Sequence, residues 1–399
     1  MSGRIKVLIA VVVVIALGIT AWQWVVGRAV VEFPDRDLRS AVAYRIDQSE
    51  REDIRVRDAR ALSLVVARDA SVHDLTGVAE LTSLEELILP GNQLTDLGPL
   101  AGHGQLQVLD VERNQVEDLS ELSEIHTLTD LRLSSNTVTD IAPLASLTGL
   151  QRLGISENRV TDLAALAGAA DLEHLHAEGN KIAEVGALAG LGNLHTLHLD
   201  SNEITDLTPL GELPALHELT LWNNRVENLT PLAAAANLSE LDLGKNEVSS
   251  LTGMEGLSEL RTLGLFDNQV ADLAPLTGLT TLQRLDLRRN EVEALPDFTG
   301  LENLHTLYLG GNRIEELEPL TGLPAIRNLD LSDNGLRDLS GLAALEGVEH
   351  LDLRGNDIED LTPLAGLTSL RSITLAGNPV TDLSPLDDLP DLSYVDLRE

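Results

Sequence analysis

The sequence predicts an α/β solenoid with the shape of a horseshoe, in which a parallel β-sheet forms the concave face and short 3₁₀ or helical turns form the convex face. Two observations indicate the solenoid: an asparagine recurs every 22 residues, fourteen times in succession, and apolar residues recur around it at fixed offsets. A fixed period of this size is typical of stacked repeats. A third observation, an uncharged apolar run near the N-terminus, predicts one transmembrane helix before the solenoid.

The repeated asparagine is the strictest element of the pattern. We expect each one to be buried at a turn, where its amide bonds to the backbone of its own coil and of the neighbouring coil, because a buried polar group without a partner is costly. The fourteen positions predicted to form this structural ladder are Asn92, Asn114, Asn136, Asn158, Asn180, Asn202, Asn224, Asn246, Asn268, Asn290, Asn312, Asn334, Asn356 and Asn378.

The other repeat positions follow L-x-x-L-x-L-x-x-N-x-(I/V)-x-D-L-x-P-L-x-x-L-x. In the L-x-L segment, alternate residues point to opposite faces of a parallel strand, so the leucines face inward. The second half of the unit predicts a 3₁₀ turn or a short α-turn. Ser/Thr-Pro pairs there predict an N-cap followed by the first helical residue. The predicted caps are Thr208, Thr230, Thr362 and Ser384.

The N-terminus predicts a signal anchor. Arg4 and Lys6 precede residues 7–26, an uncharged and mostly apolar segment with Trp22 and Trp24 toward its far end. A helix of about 20 residues spans a bilayer core, and tryptophan favours the interface. The positive residues place residues 1–6 in the cytoplasm, so that the rest is periplasmic or on the cell surface and tethered by a single pass. The alternative is a cleaved signal peptide, but the small-residue cleavage sites are poor.

Two further regions follow the anchor. Residues 27–61 predict a linker and a helical N-terminal cap, in which Asp35 is the N-cap of a first helix and residues 58–61 form a second helix or turn. A solenoid needs such a cap because its first repeat would otherwise expose an apolar end. Residues 62–399 predict the repeat domain, with one degenerate repeat, fourteen full repeats and a terminal strand.

Composition excludes several function classes. Acidic residues outnumber basic residues by 64 to 28, which gives a net charge of −36. Such a surface repels nucleic acid, so we predict no nucleic-acid partner. The sequence has no cysteine, which excludes disulfides and thiolate metal sites. It also shows no glycine-rich phosphate loop and no nucleophile elbow, so we predict no enzymatic activity and no cofactor.

The concave face is the predicted binding surface. Residues six, four and two positions before each ladder asparagine are expected there, and four of the five aromatic residues in the repeats occupy such positions. Aromatic residues and arginines together are typical of protein interfaces. Two alternatives remain: the aromatics shelter between neighbours, and the arginines neutralise aspartates of the same rows. The residues predicted to bind a protein are Trp222, Phe266, Tyr308, Tyr394, Arg284, Arg288 and Arg354.

A histidine group forms the candidate metal site. His174 and His176 point the same way on one strand, His198 stands opposite His176 on the next, and Glu178 and Asp200 extend the two rows. Neighbouring strands lie about 5 Å apart. Imidazoles with a carboxylate are ligands that zinc prefers. The site is flat and open, however, which favours a solvated polar face, so we predict no bound metal.

The repeat is identified as a leucine-rich repeat. With its N-x-(I/V)-x-D-L-x-P-L segment it resembles the bacterial internalin-like proteins of the 22-residue class, over residues 33–399. Residues 33–42 and 74–78 are similar to the cap entry of that class. The resemblance implies an extracytoplasmic, curved binding scaffold. The unit also resembles cytosolic phosphatase-regulating repeat proteins, against which the apolar N-terminus argues.

These observations predict a membrane-anchored, extracytoplasmic recognition or adhesion scaffold that binds a protein or a surface polymer on its concave face. The alternative is a structural envelope scaffold, or a regulatory interaction protein without a dedicated ligand pocket. A hydrolase with a metal at the histidine group is a third hypothesis, and no catalytic arrangement in the sequence supports it.

Overall fold

The computed structural model describes residues 29–49 and 51–398. They fall into two compact units that divide after Arg159. Within each unit the repeats contribute short parallel strands and 3₁₀ turns in alternation. The predicted solenoid of parallel strands and 3₁₀ turns is therefore confirmed.

Each strand is three residues long, and neighbours in sequence pair within each unit. The first unit contains β1 (Leu64–Val66), β2 (Glu86–Ile88), β3 (Val108–Asp110), β4 (Asp130–Arg132) and β5 (Arg152–Gly154). The second contains β6 (His174–His176), β7 (Thr196–His198), β8 (Glu218–Thr220), β9 (Glu240–Asp242), β10 (Thr262–Gly264), β11 (Arg284–Asp286), β12 (Thr306–Tyr308), β13 (Asn328–Asp330), β14 (His350–Asp352), β15 (Ser372–Thr374) and β16 (Tyr394–Asp396).

Strand pairing follows the repeat period. Leu219 on β8 pairs with Leu197 on β7 and Leu241 on β9, so paired residues are one repeat apart. These leucines are buried in the core. The residues on either side of them point away from the core, because side chains alternate along a strand. We call that side of the strands the strand face.

The ladder asparagines join neighbouring coils through their amides. Asn224 donates from Nδ2 to the carbonyls of Leu199 and Leu221, each at 3.0 Å, and its Oδ1 accepts the amide of Ile204 at 3.0 Å. Asn224 is only 8% exposed, and the ladder residues from Asn92 to Asn356 are all buried. The amide satisfies backbone groups of two coils that would otherwise be buried without partners.

The residue before each ladder asparagine has a left-handed backbone. Its φ ranges from 51° at Asp333 to 73° at Gly311. Five of these fourteen residues are glycines and nine carry side chains. Non-glycine residues enter this region at an energetic cost. Each repeat therefore holds one residue in a conformation that its turn requires.

The 3₁₀ turns lie in the second half of the repeats. In the first unit they are Val78–Glu80, Gly98–Leu100, Ser120–Glu124 and Ala142–Ser146. In the second they are Ala164–Gly168, Gly186–Leu188, Thr208–Leu210, Thr230–Ala234, Met254–Gly256, Ala274–Leu276, Glu318–Gly322, Ser340–Leu342, Thr362–Leu364 and Ser384–Leu386.

The predicted Ser/Thr caps of these turns are wrong. Thr208 is the first residue of its turn, and Leu207 precedes it without a side-chain cap. The carboxylate of Asp206 instead accepts the Thr208 amide at 2.9 Å and the Thr208 hydroxyl at 2.6 Å. Hydrogen bonds from Thr208 also hold the pKa of Asp206 below its usual value. Asp, or Asn228 in the turn of Thr230, performs the capping because a side-chain oxygen two residues upstream reaches the first free amide.

Two helices cover the N-terminal end of the first unit. Helix α1 (Arg36–Arg45) begins after Asp35, whose Oδ1 accepts the amides of Asp37 and Leu38 at 2.9 Å. Asp35 is buried, and its Oδ2 accepts the His73 amide at 2.7 Å, which ties the cap to the first repeat. Helix α2 (Val56–Ala59) begins two residues before the predicted second helix.

The predicted transmembrane segment, residues 7–26, lies outside the described residues. Among the residues that are described, no helix has both the length and the apolar character needed to cross a bilayer.

Two adjacent asparagines provide a test of the ladder. Asn224→Ala removes the buried amide and should lower the free energy of unfolding by about 1–3 kcal/mol, and Leu219→Ala in the core by about 2–5 kcal/mol. Asn223 has φ 58° and is exposed, so Asn223→Gly should leave stability nearly unchanged. Urea unfolding monitored by circular dichroism gives the three midpoints. Equal midpoints would contradict the assigned register.

Candidate functional site

Three aromatic residues lie on the strand face of the second unit. Trp222 and Phe266 follow β8 and β10 at the position two residues before the ladder asparagine, and Tyr308 ends β12. All three are partly exposed. The leucine core does not enclose them, since they point to the opposite side of the strands.

Two arginines pack against these rings. The guanidinium carbon of Arg288 lies 5.5 Å from the centre of the Phe266 ring and 5.0 Å from that of Tyr308, and the guanidinium carbon of Arg284 lies 4.8 Å from the Tyr308 ring. These are cation–π distances. Asp286 accepts from Nε and Nη2 of Arg288, which fixes the guanidinium and raises the pKa of Arg288. Arg288 follows β11 and thus joins the rings of the repeats on either side of it, those of β10 and β12.

Two further cations contact the aromatic rings, and sequence reasoning did not identify them. The Nζ atom of Lys245 lies 4.5 Å from the Trp222 ring centre, and the guanidinium carbon of Arg289 lies 5.5 Å from that of Phe266. Both cations occupy the left-handed position before a ladder asparagine. The signal in the sequence is a cation that follows each of the two aromatics after 23 residues.

A groove of about 340 Å³ separates Trp222 from Phe266 and Arg288. We call it the aromatic groove. Two glycines keep it open: a Cβ on Gly264 would lie 2.6 Å from Oδ1 of Asp242, and a Cβ on Gly244 would lie 2.7 Å from Cδ1 of Trp222. The residues that line the groove are Thr220, Trp222, Glu240, Leu241, Asp242, Thr262, Leu263, Gly264, Phe266, Arg284, Asp286 and Arg288.

The groove holds charges of both signs. Asp286 is neutralised by Arg288, and Asp242 accepts the amide of Gly244 at 2.8 Å. Within the described part of the chain, the carboxylate of Glu240 has no cationic partner and the guanidinium of Arg284 has no carboxylate partner, although its Nη1 lies 3.4 Å from the Tyr308 hydroxyl. A molecule bound in the groove would therefore meet one carboxylate without a cationic partner and one guanidinium without a carboxylate partner.

Two residues predicted to bind with this group lie elsewhere. Tyr394 is on β16, four strands beyond Tyr308, and Arg354 follows β14, two strands beyond it. Since parallel strands advance about 4.8 Å each, these separations are roughly 19 Å and 10 Å. The Tyr394 hydroxyl donates to Asp396, and Arg354 pairs with Asp352. Both therefore contact an aspartate of their own strand, and neither lines the aromatic groove.

The histidine group is smaller than predicted. His176, Glu178 and His198 bring ligand atoms within 4.8 Å of one another, but His174 and Asp200 are not part of this cluster. His174 lies two residues along β6 from His176, which is about 7 Å. The Asp200 carboxylate is occupied by the Thr220 hydroxyl at 2.7 Å and the Trp222 amide at 2.6 Å.

A carboxylate that sequence reasoning missed completes the cluster. Nε2 of His198 lies 2.9 Å from Oε1 of Glu218, and Nδ1 lies 3.4 Å from Oε1 of Glu178. The two carboxylates, Glu178 foremost, outweigh burial and raise the pKa of His198 to about 9. Glu218 is six residues before its ladder asparagine, so it is a diagonal neighbour of His198 on the next strand. From the sequence, the contact between Glu218 and His198 could have been found only by considering diagonal neighbours on adjacent strands.

Comparisons with known proteins identify the fold. A sequence profile described as leucine rich repeats (2 copies) matches residues 82–124, 126–168, 171–212, 302–344 and 346–388, and a leucine rich repeat profile matches residues 214–270. The chain belongs to the leucine-rich-repeat family. No curated protein matches this leucine-rich-repeat chain by sequence.

Solved structures place the leucine-rich-repeat protein in the internalin-like class. Internalin C2 of Listeria monocytogenes is 32% identical, with 52% of this chain and 93% of that chain covered and a TM-score of 0.52. Internalin F of the same organism is 25% identical, with 92% and 96% covered and a TM-score of 0.68. A leucine-rich-repeat protein of Leptospira interrogans, 23% identical with 85% and 97% covered and a TM-score of 0.74, shares the fold.

The predicted resemblance to internalin-like proteins is therefore confirmed. Internalin-like leucine-rich-repeat proteins are typically protein-binding scaffolds and are generally non-catalytic. Their class is found on the cell surface or is secreted.

The raised pKa of His198 predicts a pH-dependent stability in buffer that contains a chelator. Since the folded pKa of about 9 lies above the unfolded value of 6.5, the stabilisation is fully present below pH 6.5 and is lost as the pH rises through 9. NMR titration of the ring protons measures the pKa, and Glu218→Gln should lower it. A ring that titrates at the same pH in the parent protein and in Glu218→Gln would contradict this assignment.

Proposed function

We propose that this protein is a membrane-anchored, extracytoplasmic recognition protein whose aromatic groove binds a segment of another protein. Its membership of the internalin-like leucine-rich-repeat class, which is typically protein-binding, supports the general activity. The assignment of the binding surface to the aromatic groove is based on the side chains of the strand face.

The observation that carries the proposal is the placement of Trp222, Phe266 and Tyr308. These large apolar side chains are partly exposed beside a groove, although the core is built from leucines on the other side of the strands. Aromatic residues and arginines that cluster around a central depression are the composition of binding hot spots. Cation–π contacts from Arg284 and Arg288 hold the rings of Phe266 and Tyr308 in place, which reduces the entropy lost when a ligand binds.

The unpaired charges indicate the chemistry of the ligand. Arg284 presents guanidinium donors without a carboxylate partner among the described residues, and Glu240 presents an unpaired carboxylate. A groove of about 340 Å³ accepts one or two side chains, not a folded element. The fitting ligand is an extended protein segment that places an apolar side chain between Trp222 and Phe266 and a carboxylate against Arg284. A surface polymer with acidic groups would make the same contacts. The binding test distinguishes it from a protein segment, because affinity capture would then recover a polymer.

A structural envelope scaffold without a ligand pocket is the second candidate. Arg354 pairs with Asp352 and Arg398 pairs with Asp396, so the C-terminal part of the strand face neutralises its own charges. This pairing favours a surface without a ligand in that part of the chain. It does not account for the unpaired charges at the aromatic groove.

Membrane anchoring belongs to the same proposal. Residues 7–26 are uncharged and apolar, and Arg4 and Lys6 precede them. The cell-surface or secreted location of internalin-like proteins agrees with repeats outside the cytoplasm.

Truncation of the aromatic residues tests the binding surface. Trp222→Ala, Phe266→Ala and Tyr308→Ala should each weaken binding of the partner recovered by affinity capture by about 2 kcal/mol or more, roughly thirtyfold. Thermal midpoints should barely change, because the side chains lie outside the leucine core. Thr262→Trp should also abolish binding, since Thr262 lines the groove and the larger ring would fill it.

Tyr44→Ala is the matched control for these variants. Tyr44 is 82% exposed on helix α1, so its removal changes an aromatic residue far from the groove in sequence. Calorimetry gives the affinity and scanning fluorimetry gives the midpoint for every variant. Groove variants that melt early and bind normally would assign the rings a structural role and refute the proposal.

Protease accessibility tests the topology. Protease added to intact spheroplasts should degrade residues 31–399 and leave only an N-terminal fragment, because the positive flank retains the N-terminus in the cytoplasm. A cytoplasmic marker protein should stay intact until detergent is added. Repeats that remain protected alongside the marker would reverse the proposed orientation.

A further inference from the structure

Neighbouring strands hold the side chains of His176, Glu178 and His198 in defined positions. His176 on β6 and His198 on β7 are register partners in the parallel pair. Their rings meet edge to face with centroids 4.6 Å apart. The three side chains are between 21% and 37% exposed, so their neighbours restrict them while one side stays open to solvent.

The distances in the cluster match ligands around one ion. Oε1 of Glu178 lies 3.8 Å from Nδ1 of His176 and 3.4 Å from Nδ1 of His198. Ligand atoms on a tetrahedral ion with bonds of about 2.0–2.1 Å are separated by roughly 3.4 Å. The contact between Glu178 and His198 has this length, and the ligand atoms of all three residues lie within 4.8 Å of one another. Rotation of the His176 ring would bring its nitrogen closer to the other two ligand atoms.

We propose, against the expectation from the sequence, that His176, Glu178 and His198 bind one divalent transition-metal ion of the zinc class. The three ligand atoms converge from two strands, and two of them are imidazole nitrogens. Calcium and magnesium prefer sets of oxygen ligands, whereas imidazole with a carboxylate suits Zn²⁺, Ni²⁺ and Cu²⁺. Three protein ligands leave a fourth position for water or for an atom of a bound partner.

Glu218 supplies the outer contact that such a site needs. Nε2 of His198 donates to Oε1 of Glu218 at 2.9 Å, while Nδ1 of the same ring points toward Glu178. A carboxylate on the far nitrogen of a metal-binding histidine fixes the ring orientation and makes the near nitrogen a better ligand. The cluster thus contains three residues that can bind the ion and, in Glu218, a carboxylate that orients one of them.

The two carboxylates near the cluster also favour the binding of a cation. Their negative charges attract a dication. We therefore expect one ion to bind to each chain.

Titration of the full chain with zinc chloride tests the proposal. Isothermal calorimetry should show one ion bound for each chain, and zinc should raise the thermal midpoint. His176→Ala and His198→Ala should each abolish detectable binding, and Glu218→Gln should weaken it by about 10–100-fold. His195→Ala and His217→Ala are matched controls, because these two histidines stack on each other 5.7 Å apart outside the cluster and are exposed.

Cobalt provides a readout that needs no variant. Co²⁺ added to the unchanged protein should give the intense visible absorption of a tetrahedral site, and zinc should remove it. If circular dichroism shows that a histidine variant is unfolded, this spectrum decides the question. The absence of both the cobalt spectrum and zinc binding would overturn the proposal, as would zinc binding that survives both His176→Ala and His198→Ala or that depends on His195.

Discussion

The buried amide of the repeated asparagine is the interaction on which the rest of the structure depends. The chain must turn after every three-residue strand, and each turn brings backbone groups into an apolar interior, where unpaired groups are costly. In the coil of Asn224, one side chain serves two carbonyls and one amide from two successive repeats. It also requires the preceding residue, Asn223, to adopt φ 58°. With a period of 22 residues, each ladder asparagine occupies the same place in its coil, so its side-chain amide reaches the equivalent backbone groups.

With the ladder and the leucines fixing the backbone, the strand face has no part in the core. Substitutions there change the surface and leave the register intact, so side chains of successive repeats form rows with constant spacing. Trp222 and Phe266 share one row and His176 and His198 share another. The left-handed residue before each ladder asparagine adds one more row, from which Lys245 reaches back over the ring of Trp222. The left-handed conformation that the turn requires at Lys245 thereby places this cation at the candidate binding surface.

The sequence was sufficient for the solenoid, the parallel register and the rows of the strand face, because these follow from periodicity alone. It was insufficient where contacts run diagonally between repeats. Glu218 joins the histidine cluster from the next strand and a different row, and Arg289 reaches Phe266 from a turn. Capping was assigned to Thr208 although Asp206 performs it, since both residues are typical caps and only the geometry separates them. Phe298, fully buried where most other repeats place leucine, follows from no repeat rule.

The acidic composition gives the cations of the aromatic groove their importance. With a net charge of −36, most of the surface repels an acidic partner. Arg284, Arg288 and Arg289 all belong to the repeat of β11, and Lys245 lies two repeats before it. An acidic segment would therefore be repelled over most of the surface and attracted at this group of cations. Complementary charge of this kind mainly sets the association rate and the choice of partner, whereas buried aromatic contacts set how slowly the complex dissociates. The groove combines both, because the same arginines that attract a carboxylate also hold the rings of Phe266 and Tyr308 in position.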